Sequence, residues 1–258
     1  MQTIQVGRLK VEIHPDGKSA GVAAAHAVAE HLRQQTSAAE EIAVIFATGA
    51  SQLETLRALT GTPGLPWNRV TGFHLDEYVG IDANHPASFR RYLRENLTDR
   101  VAMQEFHAIH GSAADPQAVC REYARQLRVA DPQLCLLGVG ENGHLAFNDP
   151  AEADFHDAED VKIVHLDAVC RQQQAAEGWF KTLQDVPTRA ITLTIPALFR
   201  VPKLIVTIPG SRKATIMRRT LTEAISTECL ATILRTHPDA TAYIDRAAAA
   251  ELGDLLSS

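Results

Sequence analysis

The sequence predicts an α/β fold, a doubly wound and mostly parallel sheet with helices on both faces, Rossmann-like in its three layers. Three observations carry this. Short apolar runs rich in β-branched residues recur along the chain, amphipathic stretches separate them, and glycine and proline punctuate the two. Several runs are unbroken rather than alternating, which suits strands covered by helices on both sides. Strands alternating with helices then imply parallel pairing through right-handed crossovers. With 258 residues, 45% hydrophobic and 22% charged, the chain is long enough to bury a substantial core and is expected to form a single domain, 1–258.

Taken in order, residues 11–14 are the first expected strand and 17–35 the first helix. The run 42–47, Ile-Ala-Val-Ile-Phe-Ala, is the second strand, and a small-residue turn after it feeds a helix over 51–59. Residues 70–75 form a third strand, and Pro86 near the first helical position opens a helix over 86–96. A helix over 116–129 precedes the strand 133–139, and the strand 161–165 precedes a helix over 170–182. The strand 204–209, a helix over 211–221 and the strand 241–244 complete the pattern. In such sheets ligands bind beyond the carboxyl ends of the strands, so the segments just after them are the place to look for chemistry.

Composition narrows the partners. A net charge of −6 gives no general attraction to nucleic acid or to anionic lipid, although a local basic pocket can still hold a phosphate. Cys120, Cys135, Cys170 and Cys229 are widely spaced with no C-x-x-C pair, which excludes a zinc ribbon or a disulfide framework and fits a reducing cytoplasm. The first ten residues lack the apolar core of a signal peptide, and no run approaches the ~18 apolar residues of a membrane span, so a soluble protein retained in the cell is expected.

Four segments carry the chemistry. Thr48-Gly49-Ala50-Ser51 between a strand and a helix start can surround an anion with backbone N–H groups at the positive end of the helix dipole. Taken alone, the segment is better read as an N-cap serine and a turn glycine, because such turns are frequent. It has no Gly-Lys-Ser/Thr and no G-x-G-x-x-G, so neither a Walker loop nor a dinucleotide is indicated. In Phe73-His74-Leu75-Asp76-Glu77-Tyr78-Val79-Gly80 the adjacent carboxylates point to different sides of an extended chain, one toward a site and one toward structure. A partly desolvated Asp76 is a candidate general base, with a capping or solvated acidic pair as the plain alternative. His85 reads as a turn residue.

The stretch from Leu137 to Pro150 is the most informative. Gly138, Gly140 and Gly143 let the backbone turn sharply and approach a ligand, and they present His144 beside acidic and amide side chains. A histidine held by a carboxylate is the usual acid/base device, and a satisfied structural histidine is its alternative. No H-E-x-x-H occurs and His107 and His110 lie on a short strand-like segment, so no catalytic metal is expected. Gly210-Ser211-Arg212-Lys213 repeats the strand, glycine turn and helix start of the first segment with two cations added. Cations there conflict with the helix dipole unless an anion is close; two solvated cations are the plain alternative.

Together, Thr48-Gly-Ala-Ser51, Leu75-Asp-Glu-Tyr-Val-Gly80, His85-Pro-x-Ser88, Gly138 to Pro150 and Gly210-Ser-Arg-Lys213 resemble the glucosamine-6-phosphate deaminase/isomerase family in order and spacing, from about residue 15 onward. The superfamily includes the 6-phosphogluconolactonases, which share a Gly-His turn, whereas Asp-Glu-Tyr and Ala-Phe-Asn look like the deaminase branch. The resemblance implies conversion of an amino-sugar 6-phosphate to a ketose phosphate and ammonia, with no cofactor. Asp76 would move the proton between C2 and C1, and His144 would assist ring opening, supported by Asn142 and Asp149. Thr48, Gly49, Ala50, Ser51, Lys213 and, from a lid segment, Arg171 would hold the phosphate, with Glu77, Gly143 and Ala146 also near the substrate. Typical members have Asp at the place of Asn142 and Glu at that of Asp149. The lid segment has Arg171 at its start, but Glu177-Gly178 where a second arginine would be sought.

A lactonase would use His144 to activate water, without releasing ammonia. A non-catalytic sugar-phosphate sensor would carry a DNA-binding module, for which the roughly dozen residues before the first expected helix are too few. Family members occur as monomers and as hexamers, so a homo-oligomer stays open.

Overall fold

The computed structural model describes residues 1–38, 41–176 and 178–256. Its elements in chain order are β1 (Gln2–Val6), β2 (Leu9–His14), α1 (Gly17–Ala38), β3 (Ile42–Phe46), α2 (Leu53–Thr60), β4 (Val70–His74), β5 (Asp76–Tyr78), α3 (Phe89–Leu93) and β6 (Glu105–Phe106). Then come α4 (Pro116–Ala130), β7 (Leu134–Leu137), β8 (Val161–His165), α5 (Ala168–Ala176), β9 (Arg189–Leu193), α6 (Ile195–Phe199), β10 (Lys203–Ile208), α7 (Ala214–Thr222) and β11 (Ala240–Asp245).

The main sheet has eight strands in the order β1-β2-β11-β10-β7-β3-β4-β6. Among the described residues of this sheet the edge hairpin β1–β2 is the one antiparallel pair; the others are parallel. The unbroken apolar strands are covered on both sides, because successive residues point to opposite faces. In β3, Ile42, Val44 and Phe46 pack with α1 and α2, while Ala43 and Ile45 face the opposite layer with Tyr123 and Leu127 of α4 and Met217 of α7. Local chemistry fixes the helix starts: Asp115 accepts from the backbone N–H groups of Gln117 and Ala118 with Pro116 at the first helical position, and Ser88 caps α3.

The structure corrects the expectation at several points. The strand 161–165 does not extend the parallel sheet; as β8 it joins a separate antiparallel sheet in the order β5-β9-β8. The chain leaves the main sheet after β4 and enters the small one at Asp76, so these two adjoining strands belong to different sheets. The helix expected from Pro86 starts at Phe89, because His85 and Pro86 are used in a turn where the His85 Nδ1 accepts from the Ala87 N–H. His107 and His110 lie past the end of β6. The helix expected over 170–182 is the shorter α5; of the expected span, Glu177 lies outside the described residues and 178–182 are not helical. Among the described residues no helix is long and apolar enough to cross a membrane.

Candidate active site

The strand order brings the carboxyl ends of β3, β7 and β10 side by side, so two segments far apart in the chain open on one cleft. After β3, Gly49 has φ 91° and ψ 173°, and after β10, Gly210 has φ 98° and ψ 152°. Both angles lie in the left-handed region open to glycine, and both glycines start a short 3-10 turn that runs into a helix. The turns close alike: Gly49 O accepts from the Gln52 N–H at 3.1 Å and Gly210 O from the Lys213 N–H at 3.0 Å. Amides in the first turn of such a start have no intrahelical acceptor, which equips both turns to receive an anion. Gln52, fully buried, ties them together by donating from Nε2 to Thr207 Oγ1 at 2.6 Å and to Leu137 O at 3.2 Å. The Tyr92 hydroxyl donates to Gly49 O, and Asp245 Oδ1 accepts from the Gly210 N–H.

The cleft has a volume of about 460 Å³. Thr48 to Ser51 and Gly210 to Lys213 line it, together with Asp76, Gly138, Gly140, His144 and Ala146. Lys213 Nζ donates to Val139 O at 2.7 Å, placing its charge over the end of β7. Arg212 finds its counter-charge within the protein, 3.4 Å from Glu141.

The loop after β7 fixes His144. The Gly140 N–H donates to His144 O at 3.0 Å, and a β-carbon at Gly140 would fall 2.2 Å from the ring Cε1, so the imidazole lies directly against bare backbone. The His144 Nδ1 stands 3.1 Å from Asp149 Oδ1, a pair whose line is too far off the ring N–H direction to form a hydrogen bond. Asn142 is the organiser: its Oδ1 accepts from the His144 backbone N–H, and its Nδ2 donates to Asp149 at 3.0 Å and to Asp167 at 3.4 Å. An amide suits a position between two carboxylates, because it supplies the donor that a third carboxylate lacks. Asp149 is fully buried; burial works against its charge, yet the neighbouring His144 ring and donation from Asn142 and the Asp167 N–H hold its carboxyl below the usual range. Ala146 has φ 52° in the next turn, held by Asn148, whose Nδ2 donates to Leu145 O and Leu193 O.

Asp76 and Glu77 divide as adjacent residues on a strand must. Asp76 faces the cleft at 6% exposure, and its carboxyl is raised well above the ordinary value by burial first and by the neighbouring Glu77 charge second. Glu77 is turned away, fully buried, accepting from the N–H groups of Tyr78, Phe89 and Arg90, the Ser88 hydroxyl and the Arg90 guanidinium. Burial pushes its carboxyl up, against those donors. Glu77→Gln removes a negative charge beside Asp76, so the acid limb of the kcat/KM profile should move to lower pH. An unmoved limb in a folded variant would separate Glu77 from the ionisation that governs activity.

Three expected contacts do not reach the cleft wall. Glu77 serves the cage just described, Gly143 lies behind His144, and Arg171 donates to Leu183 O and Val186 O, bracing the segment after α5. In its place α5 presents Gln173 and Gln174 to the cleft. Gln173 Oε1 accepts from the Glu141 N–H and Gln174 Oε1 from the Tyr78 hydroxyl at 2.7 Å, so this helix is pinned to the loop after β7 and to β5. Sequence reasoning missed these glutamines, Gln52 and Asp245. Their partners lie far away along the chain, and no local pattern marks them.

The fold and the cleft define an α/β protein that can hold a small anionic ligand by one end against a carboxyl and an imidazole. The chain belongs to the glucosamine-6-phosphate isomerase/6-phosphogluconolactonase family, whose model matches residues 15–242. It is 34% identical over 250 residues to a glucosamine-6-phosphate deaminase of Arthrobacter sp., covering 95% of this chain and 93% of the relative. It is 31% identical over 227 residues to one of Exiguobacterium sp., covering 88% and 87%. Among solved structures, a monomeric glucosamine-6-phosphate deaminase superposes with a TM-score of 0.85 at 27% identity, covering 93% of this chain and 99% of that one. The 6-phosphogluconolactonase of Thermotoga maritima shares the fold, with a TM-score of 0.75 at 20% identity over 92% of this chain and 99% of that one.

Proposed function

We infer that this protein deaminates and isomerises an amino-sugar 6-phosphate, converting glucosamine 6-phosphate to fructose 6-phosphate and ammonia. The observation that carries this reading is the shared cleft: two anion-receiving turns at one end, with Asp76 and His144 on the walls of the same cavity. The relatives that bear this activity by name match most of the chain and support the same substrate class.

The turns of Thr48 to Ser51 and Gly210 to Lys213 would hold the phosphate, with the Lys213 ammonium adding charge. Anchoring the far end of the sugar makes the reaction at the other end effectively intramolecular. His144 would take the anomeric hydroxyl proton and return it to the ring oxygen, breaking the C1–O5 bond and opening the ring. Asp76 would then remove the C2 proton while the C1 carbonyl oxygen gains one, giving an enolamine. Returning a proton to C1 produces the C2 iminium, and water adding at C2 expels ammonia. The raised carboxyl of Asp76 matches this role, since a base works best when its own proton affinity approaches the working pH. Asn142 and Asp149 act by positioning His144. The scheme calls on no cofactor, and the four buried, free cysteines accord with a reducing cytoplasm.

Ammonia release from glucosamine 6-phosphate by the purified protein is the test, with galactosamine 6-phosphate and 6-phosphogluconolactone assayed in parallel. Ammonia from either amino sugar supports the reading; hydrolysis of the lactone without ammonia from any substrate overturns it. Lys213→Ala should mainly raise KM, by about tenfold or more if the ammonium meets the phosphate directly. An unchanged KM would remove Lys213 from the phosphate site.

A further inference from the structure

We propose that His144, Asp149 and Cys170 form a binding site for a soft or borderline divalent cation of the zinc and cadmium class, and that a cation seated there switches the enzyme off. Cys170 is fully buried on α5, outside the acid/base apparatus described above. Its sulfur, a carboxylate oxygen of Asp149 and a ring nitrogen of His144 all lie within 4.8 Å of one another. Around a tetrahedral ion with bonds of ~2.0–2.3 Å, neighbouring ligand atoms sit roughly 3.3–3.8 Å apart, so small side-chain adjustments close the set.

The His144 Nδ1 supplies an independent observation. It is buried, 3.1 Å from the carboxylate, and yet forms no hydrogen bond. Two ligand atoms that approach without pointing at each other are arranged as they would be around a common centre. The donor set of thiolate, imidazole and carboxylate suits zinc or cadmium and is a poor match for magnesium or calcium. Charge agrees as well. A divalent cation with one thiolate, one carboxylate and a neutral imidazole is neutral overall, which a buried site tolerates better than an isolated charge.

Seating the cation replaces the S–H bond of Cys170 with an S–metal bond and releases the proton to solvent. Because coordination displaces the thiol proton, occupancy should rise with pH. His144 lines the cleft, which gives the cation its route in. Once Nδ1 is coordinated, the ring keeps its proton on Nε2 and can no longer take one from the anomeric hydroxyl. Only this loss of activity rests on the proposed function; binding of the cation does not.

Cadmium titration of the purified protein tests both parts, reading the ultraviolet thiolate-to-metal absorption band and ammonia release on the same samples. The band should saturate at one equivalent per chain and strengthen as pH rises, activity should fall in parallel, and EDTA should reverse both. Cys170→Ser and Cys170→Ala, with melting curves to confirm folding, should each lose the band and the parallel inhibition, while Cys229→Ser keeps them. Absence of the band, or a band that survives in both folded Cys170 variants, overturns the proposal. A saturating band with turnover untouched would retain the cation site and overturn the role assigned to His144.

Discussion

Replacing Asp76 by asparagine should abolish turnover and, at the same time, raise the melting temperature at neutral pH. Asparagine is nearly isosteric and cannot accept the C2 proton, so a kcat loss of roughly 10²–10⁴ is expected with binding of phosphate-bearing ligands little changed. The stability gain follows from linkage. Burial and Glu77 raise the Asp76 carboxyl above its ordinary value of 3.8, so the folded state prefers the protonated form. That preference stabilises the fold fully below 3.8 and is lost as pH rises through the raised folded value. The amide of the Asp76→Asn variant does not ionise, so the two proteins should melt together in acid and diverge as pH rises, with the variant the more stable. Thermal unfolding across pH checks this. A variant that is less stable at neutral pH would show that Asp76 is not a strained carboxyl, and one that retains normal turnover would show that it is not the base.

The second large effect is expected at a residue with no side chain. In Gly140→Ala the new methyl would stand 2.2 Å from Cε1 and 2.4 Å from Nδ1 of His144, distances that no real contact tolerates. The imidazole must swing away by about an ångström, and displacement on that scale costs about 100-fold in rate. The loss should appear in kcat, because the turns after β3 and β10, proposed to hold the phosphate, are untouched. Steady-state kinetics with a parallel titration of a non-reacting phosphate ligand separate the two effects. Near-normal kcat would mean that the ring position seen here is not the working one.

How much of this was legible beforehand depended on distance along the chain. The covered strands announced themselves through unbroken apolar runs such as Ile42 to Phe46, because burial on both faces leaves no polar alternation to confuse the reading. The small sheet did not. Asp76 to Tyr78 is a strand whose carboxylates disguise it, and Arg189 to Leu193 pairs antiparallel with partners that only the tertiary fold supplies. The hairpin strand Gln2 to Val6 was missed for want of a continuous apolar run. In the site, Asn142, His144 and Asp149 lie within one loop, so their association could be read from spacing. Gln52 meets Thr207, and Gln174 meets Tyr78, only because strands and helices far apart in sequence are packed together. Arg171 shows the opposite error: a cation in the right segment, with its guanidinium engaged by two backbone carbonyls.

The Gln52 tie between the strand ends has a consequence for how the protein comes into being. One anion-receiving turn is complete by residue 52, but its buried amide bonds to Thr207, and the facing turn ends at Lys213. A nascent chain therefore has more than half its length still to be synthesised before the two halves of the binding pocket can meet. Parallel pairings between such distant strands also form late and slowly during folding. Ligand capture should accordingly coincide with completion of the central sheet, and a bound sugar phosphate would act as a clasp on the finished molecule rather than a template for an unfinished one.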